Sequence, residues 1–489
     1  MSFSTGVASG GSRFDFAQLL SPGLKNLSSL KNTILFILTV ASTAWCVSTA
    51  SGAATGSLDP WRSVPEILAR IIPPTFPARD FAINDFGAAP GGNKDCTAAI
   101  AEAIDACSRA GGGRVVIPAG QFLTSAIHLR SNVDLQLQAG STLLFRTDPK
   151  AYLPTVLTRF EGTECYNYSP LIYAIGQTNV AVTGAGLLDG QADGSNWLAW
   201  KISSQRSVLA RMAEQNVPVD QRRFGEGGNL RPDFIEFNRC NNVLVEGVKI
   251  RRSPMWEIHP LLCTNVTVRG VDIFSHGPNN DGCDPESCRD VLIEKCLFDT
   301  GDDCIAIKSG RNNDGRRLGV PSVNLVIRDC TMRDGHAGVA IGSEISGSCS
   351  NVFIEHCEMS SPNLVCALRL KDNAARGGVL QGVFMRNINV GQVKDSVLQI
   401  DFLYDEGMRG GFKPVANNIV MENITVAHTP RVLNVRGFPG GEISEVRIYH
   451  SVFHQVEKPD IVLDADVKLV DCTLLPENRG LKFSSNTDL

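Results

Sequence analysis

The sequence predicts an all-β fold, a parallel β-helix in a single domain, on three observations. A nine-residue strand phrase recurs from about residue 241 onward. Each copy alternates β-branched or aliphatic residues with polar ones, the pattern of a strand with one face buried. The copies begin only 21 to 36 residues apart, and most of these crossings are too short for a connecting helix of about 12 residues. A (β/α)₈ barrel and a doubly wound sheet are therefore poor fits, whereas stacked coils bury a continuous core that no single phrase could bury alone.

The phrase opens at Asn242, Asn265, Asp290, Asn324 and Asn351, with looser copies from Gly382, Asn418, Glu445 and Asp466. Its sixth or seventh position tends to be Gly, Cys or Asn, where a bend is expected. Upstream, Leu135–Gln138 and Val180–Gly190 read as earlier coils. Residues 98–107, with Ile100, Ile104 and Cys107 at helical spacing, read as a short amphipathic helix ended by Gly111–Gly113, and a solenoid needs such a cap over its open end. Residues 191–234 break the rhythm with a polar, Arg-rich stretch read as a long loop over one face.

The chain has 489 residues, 43% hydrophobic and 20% charged, which excludes a disordered, fibrous or small disulfide-scaffold protein. A net charge of -5 supplies no global attraction to nucleic acid or anionic membrane, so neither is an expected partner, and the chain is expected to be a monomer. Ile34–Trp45, an apolar run after Lys25 and Lys31, is shorter than the roughly 20 residues of a membrane span and reads as a signal peptide within residues 1–50. The expected organisation is that leader, an N-terminal extension or linker over 51–79 and the β-helix over 80–489. The product would be secreted or periplasmic, with no membrane attachment once the leader is removed. Removing Cys46 with the leader leaves 14 cysteines of the original 15. Export permits disulfides, but Cys296, Cys330, Cys357 and Cys472 recur at one phrase position, where a thiol also serves as a small core residue.

Polar residues collect in four consecutive coils. They are Asn279-Asn280-Asp281, Gly301-Asp302-Asp303, Gly335-His336-Ala337 and Arg369-Leu370-Lys371. Neighbouring rungs lie about 4.8 Å apart, so residues at similar places in successive coils form a ladder along one lateral groove. An Asx turn at a coil corner would explain any one of these aspartates. Three together suit acid/base chemistry, in which crowding lets one carboxyl hold a proton while another stays ionised. Calcium is a further reading of the carboxylates, but the two expected cations count against it. No metal and no cofactor is called for. Asp302 and Asp303 are adjacent and reach the same groove only if the chain bends at Gly301. Arg369 and Lys371 alternate around Leu370, which suits either a carboxylate-bearing ligand or simple compensation of the aspartates.

These four motifs, in this order on this repeat, resemble glycoside hydrolase family 28, the polygalacturonase-like pectin hydrolases, across roughly residues 80–475. The resemblance implies a right-handed, pectin-lyase-like parallel β-helix that hydrolyses α-1,4-linked galacturonan with inversion, an acidic poly- or oligosaccharide being the partner. It implies Asp302 as general acid, Asp281 and Asp303 as holders of the attacking water, and His336 as the group that tunes the acid. Arg369 and Lys371 would grip a galacturonate carboxylate, with Asn279 and Tyr404 as further substrate contacts. Ala337 stands where the family has glycine, which matters only if the backbone there needs positive φ. A single-rung offset near 5 Å resembles the carboxyl spacing of retention, so inversion rests on the resemblance and not on the rung spacing. Walls formed by 191–234 and 373–382 would make a pocket for a chain terminus. The Asn279–Pro285 sequence is also similar to bacterial exo-acting members, so exo action is expected. The alternatives are a rhamnogalacturonan or decorated-pectin hydrolase, a calcium-dependent pectate lyase, and a noncatalytic carbohydrate-binding β-helix.

Overall fold

The computed structural model describes residues 59–475; the leader assigned to 1–50 lies outside them. The chain winds as a right-handed parallel β-helix. Its largest sheet holds 23 strands that occupy two limbs of each coil, and two further parallel sheets of four and six strands form the remaining wall.

The register matches the sequence repeat. The second residues of all nine phrases, Val243, Val266, Val291, Leu325, Val352, Val383, Ile419, Val446 and Val467, are directly paired from coil to coil. The repeat persists because the chain turns at fixed phrase positions. The sixth residue of every phrase has a left-handed backbone, from Gly247 at φ 76° to Asp471 at φ 52°, so the bend falls there and not at the seventh position. The opening Asn is left-handed as well, a conformation Asn tolerates better than most residues. Its amide bonds the equivalent side chain one coil back, as in Asn265 Nδ2 to Asn242 Oδ1 at 2.7 Å and Asn351 Nδ2 to Asn324 Oδ1 at 3.0 Å. The seventh position faces inward, and Cys296, Cys330 and Cys357 are buried there. Every described cysteine is a free thiol.

The expected cap forms as the helix Thr97–Arg109, whose Ile100, Ala103, Ile104 and Cys107 join the core of the first coils. A second helix, Val64–Arg70, lies on the outer face of the solenoid, where Val64, Ile67 and Ile71 pack against Leu292, Val326, Phe353 and Phe384. Among the described residues no helix is long and apolar enough to cross a membrane.

The stretch 191–234 is not a plain loop. It carries a 3-10 helix, Trp197–Ile202, an α-helix, Gln205–Glu214, and the short strand Arg223–Phe224. Leu209 and Phe224 form a satellite core with Phe160, Cys165, Met255 and Trp256, which fixes the insert to the solenoid. The insert lies over one face as expected, but it departs from the solenoid period because it has an apolar face of its own. Strand Arg223–Phe224 extends an antiparallel hairpin, Val156–Phe160 with Thr163–Asn167, that covers the outer face of the four-stranded sheet. Buried pairs hold it there: Arg159 Nη1 lies 2.9 Å from Glu286 Oε1, and Thr158 donates to Glu236.

Candidate active site

The four- and six-stranded sheets belong to one wall, but between them the coil at 281–286 is joined only by isolated bridges, Ile258 to Cys283 and Cys283 to Ile305. The four sequence motifs meet at this narrowing. Asp281, Asp302, Asp303, His336, Arg369, Lys371, Asn279 and Tyr404 all line one cavity of ≈ 260 Å³.

Asp302 and Asp303 both reach it because the chain turns a corner between strands Leu297–Thr300 and Ile305–Ile307. A side chain at Gly301 would run into the Gly277 carbonyl. Gly335, at φ 151°, would place a Cβ 2.6 Å from the Asp302 carbonyl oxygen, so His336 can pass close to Asp302 only over a glycine. Ala337 is not a position of positive φ; its methyl packs with Ala306, Ala340 and Cys366, so its difference from the family pattern is accommodated.

The charges fall into three groups. In the first, His336 Nδ1 lies 2.7 Å from Asp302 Oδ1. Burial pushes the Asp302 carboxyl up, but the His336 hydrogen bond and charge, with Lys371 and Lys308 beyond, outweigh it and hold the carboxyl at about 2. That same hydrogen bond raises His336 above its ordinary value. In the second, Lys371 Nζ lies 2.7 Å from Asp303 Oδ2, and both side chains are almost fully buried. Burial disfavours the ammonium, yet Asp303 keeps the Lys371 pKa raised. In the third, Lys308 Nζ lies 3.7 Å from Asp281, 3.4 Å from Asp284 and 3.2 Å from Glu344, above the Trp256 ring at 4.6 Å. Asp281 is raised well above the carboxylate range, first by burial and then by Asp284 and Asp302. Glu344 is lowered, because Lys308 and Arg311 overcome its burial. Oδ1 of Asp281 and Oδ1 of Asp303 are buried without hydrogen-bond partners among the described residues.

Arg369 has no carboxylate within 4.0 Å among the described residues, and its Nε is buried without a partner. The Tyr404 ring is 5.6 Å from the guanidinium and 5.5 Å from Lys371 Nζ. Asn279 Oδ1 is already occupied, accepting from Arg231 Nη2 at 2.7 Å and from Lys201.

Sequence reasoning missed Lys308, Glu344, Glu161, Lys201, Arg206 and Trp256, which also line the cavity. Lys308 left one signal: it is a lysine directly after the apolar run Cys304–Ile307, where a buried charge demands partners. Glu161 comes from the hairpin tip and Lys201 and Arg206 from the insert, and neither segment shares the solenoid repeat. A cation could in principle gather Asp302, Asp303 and His336, whose ligand atoms lie within 4.8 Å of one another. The Lys371 ammonium and the His336 imidazole already occupy those carboxylates.

A solenoid wall that brings aspartates, an imidazole and unpaired guanidinium nitrogen into one cavity defines a glycoside hydrolase for acidic polysaccharide. The family model for "Glycosyl hydrolases family 28" matches residues 107–437, and the chain belongs to that family. A probable polygalacturonase of Vitis vinifera is 30% identical over 439 residues, covering 83% of this chain and 82% of the relative. An exo-poly-alpha-D-galacturonosidase of Dickeya chrysanthemi is 27% identical over 337 residues, 62% of this chain and 54% of that protein. The crystal structure of a hyperthermoactive exopolygalacturonase from Thermotoga maritima superposes with a TM-score of 0.82 at 41% identity, covering 84% of this chain and 95% of that one.

Proposed function

We propose that the chain removes terminal units from α-1,4-linked galacturonan by inverting hydrolysis. The observation that carries the reading is the pairing, in one cavity, of the Asp302–His336 couple with two unpartnered buried carboxylate oxygens, on Asp281 and Asp303. Those two oxygens are placed to accept from an attacking water. Asp302 is the proton donor. In the free site the shared proton rests on the imidazole. A sugar carboxylate entering beside Asp302 raises its pKa and draws that proton across the 2.7 Å bond. Arg369, with Tyr404 beside it, receives a galacturonate carboxylate, while Lys371 holds the other oxygen of Asp303 in place.

Exo action is supported by a wall of ion pairs on one side of the cavity. Arg311 lies 3.7 Å from Glu161 of the hairpin and 3.2 Å from Glu406, and Arg376 lies 3.0 Å from Glu406. Buried Arg376 belongs to the 373–382 stretch expected as a wall. A substrate too large to enter the cytoplasm, together with the apolar run at 34–45, supports a site of action that is secreted or periplasmic.

The test is incubation with unesterified polygalacturonate without added calcium. Short products of uniform length from the first minutes are expected, with slow loss of viscosity. An early mixture of lengths with rapid thinning overturns exo action, and unsaturated, chelator-sensitive products overturn hydrolysis. The first product anomer seen by NMR is β; an α product overturns inversion. The charge states of the free site favour a second reading, in which protonated Asp281 is the donor. An aryl galacturonide with a good leaving group separates the two, because it rescues the variant lacking the acid and not the one lacking the base. Rescue of Asp281→Asn in place of Asp302→Asn would reverse the roles.

A further inference from the structure

Of the cations lining the cavity, two have no carboxylate within 4.0 Å among the described residues: Arg369 and Lys201. Lys308, Lys371 and Arg206 are each paired, Arg206 with Glu161. Lys201 lies in the last turn of the 3-10 helix Trp197–Ile202, which is anchored by buried Trp197 against Tyr152, ring centroids 5.4 Å apart. Its Nζ donates to Asn279 Oδ1, the same oxygen that accepts from buried Arg231. Arg231 is itself bound by main-chain carbonyls, one of them Pro254 O at 3.0 Å, and not by an acid. Two cations thus converge on one neutral amide, and Glu161, the acid whose charge acts on both, is already paired with Arg206 and Arg311.

The coil order places this charge. Lys201 is tied to the Asn279 coil, one rung before Asp302, and Arg369 stands two rungs after it. Three rungs at about 4.8 Å separate the two positions by roughly 14 Å along the axis. Asp302, the proposed donor to the scissile oxygen, lies between them. Resting on the reading given under Proposed function, we propose that Lys201 binds the carboxylate of the sugar on the far side of the scissile bond from the one held by Arg369. The enzyme then requires a uronate on both sides of the cleaved linkage, which selects homogalacturonan over an alternating polymer with a neutral sugar.

The experiment compares digalacturonate with the two disaccharides in which one or the other carboxyl has been reduced to the alcohol. Loss of a charge-assisted hydrogen bond lowers wild-type kcat/KM by about 10- to 100-fold on each reduced compound. In Lys201→Met the loss disappears for one of the two reduced disaccharides and persists for the other. If Lys201→Met retains both losses, or lowers all three rates by the same factor as a purely structural role would, the proposal fails. A wild-type enzyme that cleaves none of the three, and no longer galacturonan, instead overturns the function on which the proposal rests.

Discussion

Along the wall built from the repeated phrase, nine residues from Val243 to Val467 stack without interruption. Along the site-bearing wall the ladder thins to single bridges at Cys283, where Asp281, Asp284 and Glu286 are buried. Both walls share each coil. The apolar wall supplies inter-coil burial and holds the register, and the other wall can then place carboxylates inside the protein, a placement that is unfavourable unless each charge is partnered. Chemistry sits where the repeat is weakest because regular coils on the opposite side fix the geometry.

Four changes sharpen that contrast. Lys308→Met strikes the site-bearing wall hardest, since it leaves Asp281, Asp284 and Glu344 facing one another; a loss of about 3–5 kcal/mol is expected in denaturant melts. Asp302→Asn should lower kcat by about 100-fold or more while the melting temperature stays near wild type. An unchanged turnover would remove Asp302 from the chemistry. Ile354→Val, on the buried face of the apolar wall, should lower stability by about 0.5–1.5 kcal/mol and leave kcat unaltered. The smallest effect concerns pH. His336 is raised by its bond to Asp302, so the stabilisation from this pair is full between the ordinary Asp value of about 3.9 and about 6.5, and is lost as pH rises through the folded-state value of His336. Activity should fall over the same alkaline interval, and His336→Gln should show a pH profile without that limb.

The fold was legible because the signals are local. Asn or Asp at the start of a phrase, and a residue that accepts the left-handed conformation at its sixth position, announce each coil directly in the chain. The site was legible to the level of which residues share a face. Rung arithmetic brought Asp281, Asp302, Asp303, His336, Arg369 and Lys371 together, but it could not say who pairs with whom. Lys371, expected on the substrate, is closed against Asp303, and Arg369 is left as the open cation. Asn279, expected on the substrate, has its carbonyl oxygen held by Lys201 and Arg231. The insert at 191–234 was opaque for a different reason. Its helices are stabilised by contacts with Phe160, Met255 and Trp256, residues distant in sequence that no local period connects.

The stacked cysteines carry a consequence for handling and for biosynthesis. Fourteen thiols in the described chain, thirteen of them buried, contribute as apolar packing and not as crosslinks. The described coils are therefore held together without disulfide chemistry. Millimolar dithiothreitol should neither loosen the folded enzyme nor hinder its recovery from urea, and production in a reducing host should yield the same melting temperature.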